Sequence, residues 1–192
     1  MNIEFFFDVT SPYSYLAATQ IGAIGRRAGL PVIWRPFLLG GVFRAVGNQP
    51  PAALAARAPY LLTDLHRWAS HYGVSFAFPS VFPMNTLLSQ RALTAIPQAE
   101  REEAALLLFK AYWVDNHDLT RPEVVARIVG EGPAMAAVDP DIKDLLRATT
   151  SEAIERGAFG APTIFVGEEM FFGNDRLHFV EAAAKAAAQA MV

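Results

Sequence analysis

The chain has 192 residues, of which 53% are apolar and 18% charged, with a formal net charge of -3 and no cysteine. That length suits one domain, or one domain with a large insertion, around a substantial core. The balanced charge argues against disorder and a nucleic-acid partner, and the missing cysteines exclude disulfide redox chemistry, thiolate metal ligation and a cysteine nucleophile together.

Residues 2 to 7, rich in Phe and Ile, read as a buried strand, and Ser11 to Ala28 as a helix. Ala17, Ile21, Ile24 and Ala28 recur at helical spacing, Pro12 follows a serine cap where its missing N–H costs nothing, and Gly29 closes the helix. Val32-Ile33-Trp34 is a second short strand ended by Pro36, and a strand-helix-strand unit of this size implies parallel strands. The N-terminal run has no basic flank, and no apolar segment approaches the roughly 20 residues that span a bilayer, so a soluble cytoplasmic protein without a membrane partner is expected.

From residue 40 to 157 the pattern changes to helices separated by Gly and Pro, an inserted helical domain that divides the α/β domain into 1–39 and 158–192. Within it, Leu106 to Trp113 reads as a buried helix, and Thr120-Arg121-Pro122-Glu123 as a capping box opening another. His117-Asp118 falls in the loop between them. The four histidines show no metal-binding spacing, and no metal is expected.

Strand chemistry returns at Thr163 to Val166, a Gly167-Glu168-Glu169 turn and Met170 to Phe172, which together predict a hairpin. An alanine-rich helix follows, with Asn174 as its expected N-cap and Asp175 near its positive end. The order is βαβ, a helical insertion, then ββα.

Ser11 stands where a helix N-terminus offers unpaired N–H groups and about half a positive charge. It can simply cap the helix, or it can also donate its hydroxyl to a bound anion. Nucleophilic serine catalysis lacks support, because there is neither a G-x-S-x-G elbow nor a histidine with an evident acidic partner.

The βαβ-ββα order with a reactive position at the first helix start is the thioredoxin plan, in which C-x-x-C fills that turn and a cis-proline precedes the third strand. Here the turn is Ser11-Pro12-Tyr13-Ser14, and Ala161-Pro162 stands before Thr163. A proline so placed leaves the preceding backbone free to pair with an extended peptide. A peptide that brings its own thiol is a description of glutathione.

The sequence resembles the 2-hydroxychromene-2-carboxylate isomerases and the kappa-class glutathione transferases of the DsbA-like thioredoxin superfamily. The resemblance is carried by Phe7-Asp8 through Leu16, Arg35 to Gly41, Gly47 to Pro51, Phe82 to Thr86, Gly157 to Pro162 and Phe172 to Arg176, six motifs in order along nearly the whole chain. It implies a thioredoxin-like α/β fold with a large all-helical insertion, and glutathione as cofactor. Ser11 would hold the glutathione sulfur as thiolate, assisted by Asn48; Ala161, before a cis Pro162, would pair with the cysteinyl part; Asp175 and Arg176 would meet the γ-glutamyl end. Arg57 replaces a lysine that meets a carboxylate in the transferases.

The implied reaction is reversible thiolate addition to an aromatic pyruvate-type substrate, with rotation about the resulting single bond. Trp34, Phe43, Tyr60 and Phe82 are expected to wall an aromatic pocket, with Tyr13 and Asn85 as further substrate positions and Arg35 facing the substrate carboxylate. A transferase or peroxidase of the kappa type, and a non-catalytic glutathione- or peptide-binding protein, are the alternatives. A homodimer is implied by the resemblance alone.

Overall fold

The computed structural model describes residues 1–49 and 58–190. Its sheet has the order β2-β1-β3-β4, from β1 (Ile3–Phe7), β2 (Val32–Pro36), β3 (Thr163–Val166) and β4 (Glu169–Phe172). β1 runs parallel to β2 and antiparallel to β3, and β3 pairs antiparallel with β4. This is the expected thioredoxin-like arrangement, with the predicted hairpin in place.

The unbroken apolar run of β1 follows from burial on both sides of the sheet. Phe5 and Phe7 point one way, into the larger core, where their rings meet Trp34 at centroid distances of 5.0 and 5.5 Å. Phe6 points the other way, onto Phe37 and Phe165 in a second cluster that also holds Ala158 and Ala161. Trp34 is therefore core: paired in register with Phe5, it shares that residue's face and is 1% exposed, which removes it from the expected aromatic pocket.

Helix α1 (Pro12–Ala28) joins β1 to β2, and its boundaries have local causes. The Ser11 side chain caps the first turn, Pro12 occupies N1, and Gly29 takes the left-handed conformation (φ 72°) that ends the helix. Between β2 and β3 lie α2 (Leu39–Val46), α3 (Ala58–Tyr72), α4 (Leu87–Ala95), α5 (Gln98–Trp113), α6 (Pro122–Val129), α7 (Glu131–Ala136) and α8 (Pro140–Glu155). Helix α9 (Leu177–Gln189) closes the chain after a short 3-10 turn, Asn174–Arg176. Among the described residues no helix is long and apolar enough to cross a membrane.

Two expected caps are absent. Thr120 does not cap α6, because the Asp118 carboxylate accepts both its N–H and its hydroxyl, and Arg121 takes the cap position without a side-chain bond. Asn174 does not cap α9 either. It begins the 3-10 turn, 2% exposed, and its carbonyl accepts the Tyr72 hydroxyl at 2.6 Å, which ties α3 to this turn.

On the Phe6 face, Arg35 pairs with Glu4 and Glu152, and Arg156 bridges the same two carboxylates while its guanidinium lies 3.8 Å from the Phe165 ring centroid. This network fastens α8 to the sheet. The core assignment of Trp34 is checked by urea denaturation: Trp34→Ala is expected to remove about 3–5 kcal/mol of stability, whereas a loss under about 1 kcal/mol would indicate an accessible pocket wall.

Candidate active site

The site is built outward from Asp8, the first residue after β1. Its carboxylate is 3% exposed and accepts from the Thr86 hydroxyl (2.6 Å), Leu39 N–H (3.0 Å) and Thr10 N–H (3.1 Å). One buried group thus binds the turn before α1, the start of α2 and the segment leading into α4. Burial pushes the Asp8 carboxyl above the usual aspartate range, while the three donors favour its ionised form.

The adjoining backbone is held from other directions as well. The Trp113 indole N–H donates to the Val9 carbonyl at 2.8 Å, the Thr10 hydroxyl to the Met84 carbonyl at 3.2 Å, and Gln90 bridges the Phe7 and Phe37 carbonyls at 2.8 Å each. Ser11 N–H closes the turn onto the Asp8 carbonyl at 2.9 Å.

This scaffold places the Ser11 hydroxyl, 4% exposed, between two elements. Its oxygen accepts the Ser14 N–H at 3.1 Å, capping α1, and its proton is donated to the Ala161 carbonyl at 3.1 Å. The Ala161-Pro162 bond is cis, as expected, and Pro162 is fixed by Gly173 N–H onto its carbonyl. Gly160 sets how closely this loop approaches β4, since a β-carbon there would stand 2.8 Å from the Phe172 ring.

A second group of side chains gathers beside the first turn of α1. The Tyr13 hydroxyl donates to Asp64 of α3 at 2.9 Å, and burial, then Asp64, hold the phenol well above its ordinary range, with Asp175 and Tyr60 adding to the same effect. Tyr13 is therefore a hydrogen-bond donor throughout the physiological range. The Tyr72 phenol is likewise raised, first by burial. Asp175 pairs with the neighbouring Arg176, and the buried Asn174 amide nitrogen has no partner among the described residues.

Asp64 and Tyr72 carry no sequence signal of their own. Tyr13 and Asp64 lie 51 residues apart, and only the docking of α3 on α1 brings them together.

The remaining candidates are dispersed. Asn48 is exposed; its amide donates to the Phe159 carbonyl at 3.0 Å, which ties it to the loop that leads into Ala161. Phe82 is half-buried against Phe78 and Trp113, after a segment whose Ser80 N–H is held by Asn116. Asn85 is exposed and accepts Leu87 N–H at the start of α4. Phe43 lies half-buried on α2, and Tyr60 is 64% exposed on α3. Arg35 shares the Phe6 face, its guanidinium engaged by Glu4 and Glu152. Arg57 lies outside the described residues. The Asp118 carboxylate is occupied by Thr120, and His117 stands exposed beside it.

Residues 2–185 match the DSBA-like thioredoxin domain. Over 94% of its length the chain is 32% identical to the 2-hydroxychromene-2-carboxylate isomerase of Sphingobium xenophagum, covering 96% of that protein. A solved 2-hydroxychromene-2-carboxylate isomerase structure superposes with a TM-score of 0.88 at 29% identity, over 98% of this chain and 97% of the other. The chain belongs to the DSBA-like thioredoxin family, in the group of the 2-hydroxychromene-2-carboxylate isomerases. Glutathione S-transferase kappa 1 of Homo sapiens is also related, 28% identical over 93% of this chain and 88% of that one.

The start of α1 holds no sulfur: Ser11 and Ser14 stand there with Pro12 and Tyr13 between them. The Ser14 hydroxyl, fully buried, has no partner among the described residues. The balance at Asp8 is open to a pH test. A carboxyl raised in the folded state stays protonated there while its unfolded counterpart ionises near pH 4, so its stabilising contribution is lost as the pH rises through the folded value. The stability advantage of the wild type over Asp8→Asn, from urea titrations, is expected to shrink as the pH rises above about 4; an advantage that grew would mean that the three donors outweigh burial.

Proposed function

We propose that the protein is a glutathione-dependent cis-trans isomerase that converts 2-hydroxychromene-2-carboxylate, or a similar aromatic pyruvate-type compound, to trans-o-hydroxybenzylidenepyruvate. The observation that carries the reading is the Ser11 hydroxyl at the N-terminus of α1, 3.1 Å from the Ala161 carbonyl, in a chain without cysteine. The isomerase relatives, matched over nearly the whole of both chains, supply the substrate class.

The residues present fit glutathione. The first turn of α1 offers N–H groups and a hydroxyl to a thiolate, Ala161 offers its backbone to a cysteinyl unit, and the Asn174 amide, without a partner among the described residues, marks a polar cradle beside Asp175 and Arg176. Bound glutathione would supply the thiolate that adds reversibly to the conjugated double bond.

The chain's own part is electrostatic. The positive end of α1 and a charge-assisted bond from Ser11 lower the free energy of the anion relative to the thiol. Asp175, with Asp64 held by Tyr13, suits the γ-glutamyl ammonium, and Arg176 its carboxylate. Asn48 supports the Ala161 loop through Phe159, and Arg57 is retained as a carboxylate contact. Tyr13, Phe43, Tyr60, Phe82 and Asn85 are the substrate-side residues in this reading. Arg35 is left out because two carboxylates already neutralise it. The enzyme would work as a cytoplasmic homodimer.

A kappa-type transferase is the second reading, favoured by the kappa relatives. It would leave glutathione on the product. Incubation with 2-hydroxychromene-2-carboxylate and glutathione at a small fraction of its concentration separates the two: turnover far beyond the glutathione supplied is expected, whereas consumption of one glutathione per product would replace isomerase by transferase. Ser11→Ala is expected to lower kcat/KM about 100- to 1000-fold, and a variant of undiminished activity would remove Ser11 from the mechanism.

A further inference from the structure

A serine hydroxyl has one proton, and in this structure that proton is already committed. Ser11 Oγ donates to the Ala161 carbonyl oxygen, while its lone pair accepts the Ser14 N–H. Both residues are buried, at 4% and 8% exposure, and among the described residues Ser11 is the donor seen on that carbonyl. As folded, the hydroxyl can accept at the helix start but has nothing to give to a sulfur anion.

Redirecting it takes only a turn about the Cβ–Oγ bond, since the oxygen stays in place and keeps the Ser14 N–H. The turn nevertheless strips a buried carbonyl of its donor. The loss from an unsatisfied buried acceptor is comparable with the gain from one hydrogen bond to an anion, so a thiolate alone would draw little net stabilisation from Ser11. The gain is recovered in full when something else donates to Ala161 as the hydroxyl leaves.

We propose that this donor is the amide N–H of the ligand residue that carries the thiol: its arrival on the Ala161 carbonyl releases the Ser11 proton to the sulfur. The inference rests on the glutathione reading above and adds to it a selection rule. Ser11 activates a thiol only when the thiol-bearing residue has a free peptide N–H, so peptide thiols are activated and simple thiols are not. On ionisation the S–H bond breaks, its electron pair stays on sulfur and its proton passes to solvent. Ser11 keeps its own proton and only changes acceptor. The two contacts are coupled through a single hydroxyl, and each strengthens the other by the same factor.

The test compares glutathione with its analogue methylated on the cysteinyl amide nitrogen, each saturating, by ultraviolet titration of the bound thiol in wild type and Ser11→Ala. Glutathione is expected to show a pKa at least one unit below its free value, about a tenfold gain in thiolate, lost in Ser11→Ala; the analogue is expected to show little of this lowering and little dependence on Ser11. Equal, Ser11-dependent lowering for both ligands would overturn the exchange and leave the glutathione reading intact. No lowering for glutathione itself would overturn both.

If methylation abolishes binding, the carbonyl carbon of Ala161, labelled with carbon-13, decides instead. Ser11→Ala should shift its resonance in the free protein and by less than a third as much with glutathione bound. Equal shifts in the two states, or none in the free protein, would reject the exchange.

Discussion

The hydrogen bond from the Ser11 hydroxyl to the Ala161 carbonyl joins the start of α1 to the segment before β3, 150 residues away in sequence. Much of the surrounding architecture serves to set that distance. Asp8 clamps the turn, α2 and the approach to α4 to one carboxylate, and Trp113 and Gln90 hold the carbonyls of Val9 and Phe7 from the helical side. From the opposite side, the bond from Thr163 Oγ1 to the Gly160 carbonyl and the close approach of Gly160 to Phe172 hold the loop that presents Ala161. The consequence is a buried, fixed hydroxyl at the positive end of a helix, whose proton becomes available to an anion once the Ala161 carbonyl takes another donor.

Much of this frame was legible from local chemistry. Phe5, Phe6 and Phe7 declared a buried strand; Pro12 and Gly29 marked the ends of α1; and Ala161-Pro162 before an apolar strand pointed to the cis bond that is observed. These features depend on a few neighbouring residues and their backbone preferences, which the sequence states directly.

What was not legible depended on registry and on long-range docking. Trp34 looked like a pocket aromatic until its pairing with Phe5 set its face, and the same alternation put Arg35 with Phe6, where Glu4 and Glu152 take its charge. Thr120 and Asn174 were plausible caps by type, but one was captured by Asp118 and the other was drawn into a 3-10 turn that receives Tyr72. Asp64 had no signal, because its role beside Tyr13 exists only once α3 packs on α1. The site is thus a strand-end turn supplied by the α/β part of the chain and an acidic and aromatic wall supplied by the helices between β2 and β3.

The absence of sulfur and the presence of a buried, directed hydroxyl meet in the proposed function, in which the chain would provide the field and a bound peptide the nucleophile. The most direct measurement is the ionisation of the glutathione thiol on the protein, followed by thiolate absorbance in wild type and Ser11→Ala. The account predicts a bound pKa at least about one unit below that of free glutathione, returning most of the way to the free value when the hydroxyl is removed. A bound thiol that titrates as it does in solution, or that titrates identically in the two proteins, would contradict it.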